Sequence, residues 1–278
     1  VQSIAGDEVR LIKPLVIVED DLGMVMPNGV TLATHMAKKI ETFTRKCYKS
    51  EGKMTEDSHS KFLPAVFMTR RHTGIAEHRM ISVTFITDRG VSHEGVRHRM
   101  AAYLQESTRY CDYSGKGVTY ILPPWVVPHA VSDGVFFSEA SKHWSEWYDF
   151  VEDLKADDER YARWRKNGWR PEMARYWLPQ GVKTEYAASL NIGSWHNFLV
   201  KRTAPEAHPQ IRQLAIPLLR YFQKHLPEFF ADIHMPPVQI DELGETSKFA
   251  HKEEWYDEAK LHVNPFYEQV PVDVVYES

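Results

Sequence analysis

Cysteine is scarce in this chain: Cys47 and Cys111 are the only two in 278 residues. Two such thiols build neither a disulfide framework nor a thiolate metal motif, so a reducing compartment is the natural setting. A free cysteine usually packs as a small hydrophobe, and neither is read as a nucleophile. Long apolar runs are missing too, with nothing near the roughly 20 residues that a membrane span requires. Val1 to Arg10 shows no basic stretch leading into an apolar one, so no secretory signal is expected. The expectation is a cytoplasmic protein with no membrane partner. Positive charge is not in excess either, because 34 Lys and Arg stand against 38 Asp and Glu, a net charge of −4. A basic DNA-binding domain would show a pI above about 9, so no nucleic-acid partner is expected. Anionic ligands must then be held by local clusters. There is also no Gly-rich dinucleotide fingerprint, internal repeat, low-complexity tract or Gly/Ser linker.

What the chain does contain is a globular composition, 43% hydrophobic and 26% charged, with ample length for a core. Residues 1–29 read as short strands and turns, with Val9, Leu11 and Ile12, then Leu15 to Val18, closing at Pro27-Asn28-Gly29. Leu32, Met36, Ile40 and Phe43 recur at helical spacing over 31–48. A further helix is expected over 62–69. Residues 80–87 alternate as a strand, with Ile81, Val83 and Phe85 on one face and Ser82, Thr84 and Ile86 on the other, stopped at Asp88-Arg89-Gly90. Ser92 is then expected to cap a short helical turn with Glu94 near its positive end. A long helix is expected over 138–166, with Trp144, Tyr148, Val151, Leu154, Tyr161 and Trp164 as its apolar stripe, ended by Asn167-Gly168. Shorter elements follow: a helix over 171–177, a strand over 184–191, a helix over 193–200, and one from about His208 that Pro217 should kink. Two regions are expected, a body over 1–234 and an acidic, aromatic C-terminal extension over 235–278, draped over that body or over a partner.

The chemistry concentrates in residues 97–110, Arg-His-Arg-Met-Ala-Ala-Tyr-Leu-Gln-Glu-Ser-Thr-Arg-Tyr. Guanidinium forks and small hydroxyls grip phosphate oxygens in fixed orientations. Arg97-His98-Arg99 and Ser107-Thr108-Arg109 therefore suggest anchorage for more than one anionic ligand. The string Arg97-His98-Arg99, seven residues, then Ser107 resembles the signature of the flavin-dependent thymidylate synthases. Two further segments resemble that family in the right order. His72-Thr73-Gly74-Ile75-Ala76-Glu77-His78 is similar to its His…Glu-His stretch, with Gly74 where a hydroxyl residue is usual. Asn191 to Arg202 is similar to the stretch carrying two flavin asparagines and a closing arginine, with Gly193 where an Arg is common. A metal reading of His72 and His78 is set aside, since a spacing of six fits no known zinc pattern.

The resemblance implies an α/β chain of the α+β type, a mostly antiparallel sheet flanked by helices, assembled as a homotetramer with sites shared between subunits. It implies reductive methylation of dUMP to dTMP, with FAD reduced by NADPH and methylenetetrahydrofolate as carbon donor. Arg97, Ser107, Thr108, Arg109 and Arg175 would bind the nucleotide, with Glu94, Gln105 and Glu106 nearby; Gln105 stands where the family has an acidic residue. Gly74, Glu77, His98, Arg99, Met100, Asn191 and Asn197 would hold FAD, and no metal is implied. Arg202 would be catalytic, stabilising charge that develops on the pyrimidine ring. The flanking arginines should keep His98 neutral near pH 7. The departures at Gly74, Gln105 and Gly193 leave open a dCMP substrate or a hydroxymethyl product. A non-catalytic nucleotide- or RNA-binding protein is the alternative from another class.

Overall fold

The computed structural model describes residues 9–123, 142–234 and 260–263, with the backbone alone for 142–147 and 260–263. The expected start of the long helix at 138–141, the stripe position Trp144 and most of the acidic extension lie outside these described residues and side chains.

Two short strands lead off, β1 (Arg10–Ile12) and β2 (Leu15–Val18). Helix α1 (Leu32–Tyr48) follows, capped by Thr31, whose hydroxyl accepts from the Thr34 N–H at 3.2 Å. Its face Met36, Ala37 and Ile40 is buried, as the periodicity predicts. The helix expected over 62–69 begins earlier. It is α2 (His59–Pro64), which passes through a π-turn over Ala65–Thr69. Strand β3 (Met80–Asp88) runs into α3 (Arg89–Gly95), and β4 (Ala101–Gln105) and β5 (Thr119–Ile121) come next. The remaining elements are α4 (Lys142–Lys166), α5 (Pro171–Ala174), β6 (Lys183–Asn191), α6 (Ile192–Arg202), α7 (Pro209–His225), α8 (Pro227–Phe230) and β7 (Lys260–Val263).

The main sheet has the order β4-β6-β3-β2-β7. Its first three pairings are antiparallel and β2 with β7 is parallel. A mixed chain with a mostly antiparallel sheet is thus what forms. A separate parallel pair joins β1 to β5. Helix α6 lies on the sheet through Trp195, which is fully buried and donates its indole N–H to the Ile81 carbonyl at 2.9 Å. Phe85, Phe198 and Phe222 surround that indole with centroid separations of 5.4–6.2 Å. Helix α7 continues through Pro217, and Ile211, Leu214, Leu218 and Phe222 on it are buried. A second core gathers Tyr120, Leu154, Tyr161 and Val182 beneath α4. No helix among the described residues is long and apolar enough to cross a membrane.

Four expectations change. Ser92 does not begin a helix: Asp88 caps α3, its Oδ1 accepting from the Val91 N–H at 2.7 Å, and Ser92 lies inside the helix donating to the Arg89 carbonyl. Glu94 consequently sits in the last turn rather than near the positive end. Ile86 leaves the Ser82 and Thr84 pattern, because the end of β3 is buried on both faces. Tyr148, expected in the α4 stripe, is exposed, whereas Val151, Leu154 and Tyr161 are buried.

Gly95 closes α3 where a Cβ would collide with the hydroxyl of buried Tyr186. That hydroxyl finds no hydrogen-bond partner among the described residues. Gly95→Ala should therefore cost about 1–3 kcal/mol by overpacking, and Tyr186→Phe should recover part of the loss. Denaturant unfolding of the two single variants and the double variant measures this. Wild-type stability in Gly95→Ala would show that the contact relaxes freely.

Candidate active site

Helix α6 joins two of the three motif segments. At its start Asn191 accepts the Ser194 N–H at 2.7 Å and caps the helix, while the Ile192 N–H bonds the Arg79 carbonyl at 3.1 Å. Gly193 faces the 3-10 turn Thr73–His78, where an added Cβ would stand 3.5 Å from the Ala76 Cβ in ordinary contact. Gly74 and Glu77 on that turn are exposed, as is Asn197 further along α6. His72 is held by Tyr48, its Nδ1 lying 2.5 Å from the phenol oxygen, and no group of residues able to hold a metal ion occurs among the described residues.

At the other end of α6 stands Arg202. Its Nε donates to His98 Nε2 at 3.0 Å, and its terminal nitrogens donate to Glu94 Oε2 at 2.8 Å and to the Glu94 carbonyl at 3.1 Å. The His98 ring also packs against Phe198, with centroids 4.7 Å apart. Burial lowers His98 to about 4, helped by Arg202 and Lys201. The expected neutrality is therefore found, but burial is its main cause and the cations come from α6 rather than from Arg97 and Arg99. Those two arginines are exposed, and Met100 beside them has a left-handed backbone with φ of 61°. A non-glycine residue held there costs of order 1–3 kcal/mol, and such strain clusters at ligand-binding segments.

The remaining candidates lie past β4. Ser107 accepts the Arg109 N–H at 3.3 Å in a tight turn, and Arg109 lies over the Tyr110 ring, 5.5 Å from its centre. Exposed Arg175 reaches the hydroxyl of buried Thr108 at 3.5 Å. Glu106 is taken up internally, accepting from the Tyr113 hydroxyl at 2.8 Å and from Lys183 at 3.2 Å. Gln105 turns inward to Ser92 and Thr184, at 2.8 and 3.2 Å. Arg89 supports the turn through the Glu106 carbonyl and the Thr184 hydroxyl. Sequence reasoning missed Arg89, Tyr113 and Lys183; only the alternation along β6 hinted that Lys183 shares a face with Glu185. Five residues of strand at about 3.3 Å each put roughly 17 Å between the two ends of β4. Within one chain, Arg97–Met100 and Ser107–Arg109 thus form separate clusters.

His98 ties this geometry to acid stability. An unfolded histidine protonates near its ordinary value of about 6.5, whereas folded His98 resists until about 4. Between those values the unfolded state binds more protons, so the residue makes stability fall as pH falls through that window. His98→Asn should flatten part of the decline between pH 6.5 and 4 in urea titrations. An unchanged slope would contradict the assignment.

Comparison with known proteins identifies the family and the fold. The family described as "Thymidylate synthase complementing protein" matches residues 31–228. A flavin-dependent thymidylate synthase of Mycobacterium sp. (strain JLS) is 29% identical over 215 residues, covering 73% of this chain and 82% of that protein. The enzyme of the same description from Geobacter sulfurreducens is 30% identical over 197 residues, covering 68% and 78%. The fold is similar to that of the UMP/dUMP methylase PolB from Streptomyces cacaoi bound with 5-Br dUMP. The TM-score is 0.61 at 18% identity, with 80% of this chain and 96% of that one covered. It is also similar to Thymidylate Synthase X from Helicobacter pylori with FAD and dUMP, at a TM-score of 0.55 and 19% identity, covering 79% and 98%. The match over most of its length places this chain in the thymidylate synthase complementing protein family, the family of the flavin-dependent thymidylate synthases.

Proposed function

We propose that this protein methylates dUMP to dTMP, with FAD as bound cofactor, methylenetetrahydrofolate as carbon donor and NADPH as the source of electrons. One observation carries the reading: Arg202 meets Glu94 and His98 from 108 and 104 residues away in sequence, joining the arginine-rich signature to the asparagine segment. Simple phosphate binding, as in a non-catalytic nucleotide- or RNA-binding protein, would leave a guanidinium free for the anion. Here a carboxylate and a neutral imidazole orient it instead.

The residues present suit a flavin. Exposed Arg99 offers a cation for a pyrophosphate, and Glu77, Asn197 and His98 offer mixed donors and acceptors for a polar ring edge. Met100, next to Arg99 in sequence, keeps a strained backbone at the surface. When bound, the flavin supplies the hydride that turns the transferred one-carbon unit into a methyl group. The chain's own contribution is electrostatic. Arg202 would direct N–H donors at the uracil ring, stabilising negative charge as C5 becomes nucleophilic. Ser107, Thr108, Arg109 and Arg175 would fix the phosphate, while Asn191 keeps α6 in register through its cap.

Because β4 separates the two clusters, a complete site needs a second copy of the chain. The β4 side of the molecule suits such assembly, with Leu104 80%, Tyr110 77%, Met100 73% and Tyr176 79% exposed. A homotetramer with shared sites is the assembly this reading takes.

Incubating the flavin-loaded protein with methylenetetrahydrofolate, NADPH and either dUMP, dCMP or UMP, then weighing the nucleotide products, tests the function. A gain of one methyl group on dUMP is expected. Product only from dCMP or UMP, a hydroxymethyl product, or no product would overturn the reading. Arg202→Ala should lower kcat by roughly 10²–10³-fold, the usual loss on removing a charge-stabilising donor, with flavin absorbance retained. Leu104→Asp should place a charge inside the proposed interface and reduce the mass measured by light scattering; an unchanged mass would exclude β4 from the interface.

A further inference from the structure

Three sides of Arg202 are already occupied. A guanidinium has five N–H donors and no acceptor. The bonds to His98 Nε2, Glu94 Oε2 and the Glu94 carbonyl use three of them, so two are left for a ligand. Arg202 cannot accept a proton, which means His98 Nε2 presents its lone pair. The single ring proton of neutral His98 therefore sits on Nδ1.

We propose that Glu94 is the positioning residue of this site, clamping Arg202 with both its carboxylate and its main-chain carbonyl while the Nδ1–H tautomer of His98 fixes the third corner. The proposal rests on the reading that Arg202 faces the pyrimidine. Two bonds from one residue to the two terminal nitrogens prevent the guanidinium plane from turning. Its free N–H pair then keeps one direction before any substrate arrives. That is the preorganisation an electrostatic catalyst requires.

Stability alone does not explain the contact. The side chains of Arg202 and Glu94 are 21% and 34% exposed, and ion pairs open to solvent add little to folding. The clamp itself stands on firm ground. Helix α3 is capped by Asp88, tied to β4 through Ser92 and Gln105, and seated on Tyr186 at Gly95. Pairing with a carboxylate also offsets the arginine's charge, so Arg202 acts through directed donors more than as a bare cation. Glu94 further lines a cavity of about 440 Å³ with Asp88, Gln180, His208 and Gln210.

The test uses full-length, flavin-loaded protein carrying Glu94→Ala or Glu94→Gln. Two quantities are read: kcat and KM for dUMP, and the ring-nitrogen chemical shifts of 15N-labelled His98 across pH. Glu94→Ala should lower kcat about 100-fold, a loss in the range for a misplaced charge-stabilising donor, with a smaller change in KM and a near wild-type melting temperature. As Arg202 leaves, His98 should titrate above its value of about 4, and its Nδ1–H tautomer should give way to a mixture. Glu94→Gln keeps a side-chain oxygen and the main-chain carbonyl, and should restore most of kcat and the tautomer. Wild-type kcat in Glu94→Ala, or an unchanged His98 titration and tautomer, would overturn the proposal. Should the wild-type protein methylate no nucleotide, the functional reading fails, and the His98 spectra still decide whether Glu94 holds Arg202.

Discussion

A single buried hydrogen bond organises the site: the Trp195 indole N–H on the Ile81 carbonyl, 2.9 Å apart and sealed from water. A buried N–H left unpaired costs about 1–3 kcal/mol, so the indole has one good seat, and that seat fixes how α6 lies on β3. Everything chemical on α6 follows from that placement. At 1.5 Å per residue the eleven-residue helix spans about 16 Å. One end meets the turn bearing Gly74 and Glu77, and the other delivers Arg202 to Glu94 and His98. The apolar residues between the ends, Trp195, Phe198 and Leu199, are buried, while Asn197 stays at the surface.

The site residues divide into those still open to a ligand and those already satisfied. Asn191, Gln105 and Glu106 are satisfied by a helix cap, by Ser92 and Thr184, and by Tyr113 and Lys183 respectively. Their value to the site is that they hold neighbouring atoms still. Burial is the first influence on Lys183 and disfavours its charge, but bonds to Glu185 and Glu106 outweigh it and the ammonium ends above its ordinary value. It therefore remains a fixed cation beside Glu106 and the Ser107–Arg109 turn. Arg97, Arg99, Arg109 and Arg175 are the exposed members, Arg175 touching the Thr108 hydroxyl and Arg109 lying over Tyr110.

Much of the fold was legible wherever one face of an element is buried. Met36 and Ile40 on α1, Ile81 to Phe85 on β3, and Ile211 to Phe222 on α7 alternate or recur as the burial requires. Strand β4 escaped notice because its five residues follow directly on the arginine signature, which reads as a ligand motif. Strand β5 escaped because it is three residues long and pairs with β1, more than a hundred positions away. Ser92 and Asp88 both suit the cap position in sequence, and only the end of β3 shows that the chain uses Asp88. The Arg202 triad was legible as residues but not as bonds. Nothing local says that a carboxylate in α3 will turn toward the end of α6, and Met100 gives no sign of its left-handed backbone.

Strand β4 also bears on the life of the chain before assembly. Among the described residues it is one of the two edge strands of the main sheet, with Leu104 turned to solvent. Unshielded rims of this kind recruit foreign strands and seed aggregation. Under the shared-site reading, newly made chains would partition between productive association and clumping, and dilution would cost turnover by separating the subunits. The same rim would then make each protomer's survival in the crowded cell depend on its siblings.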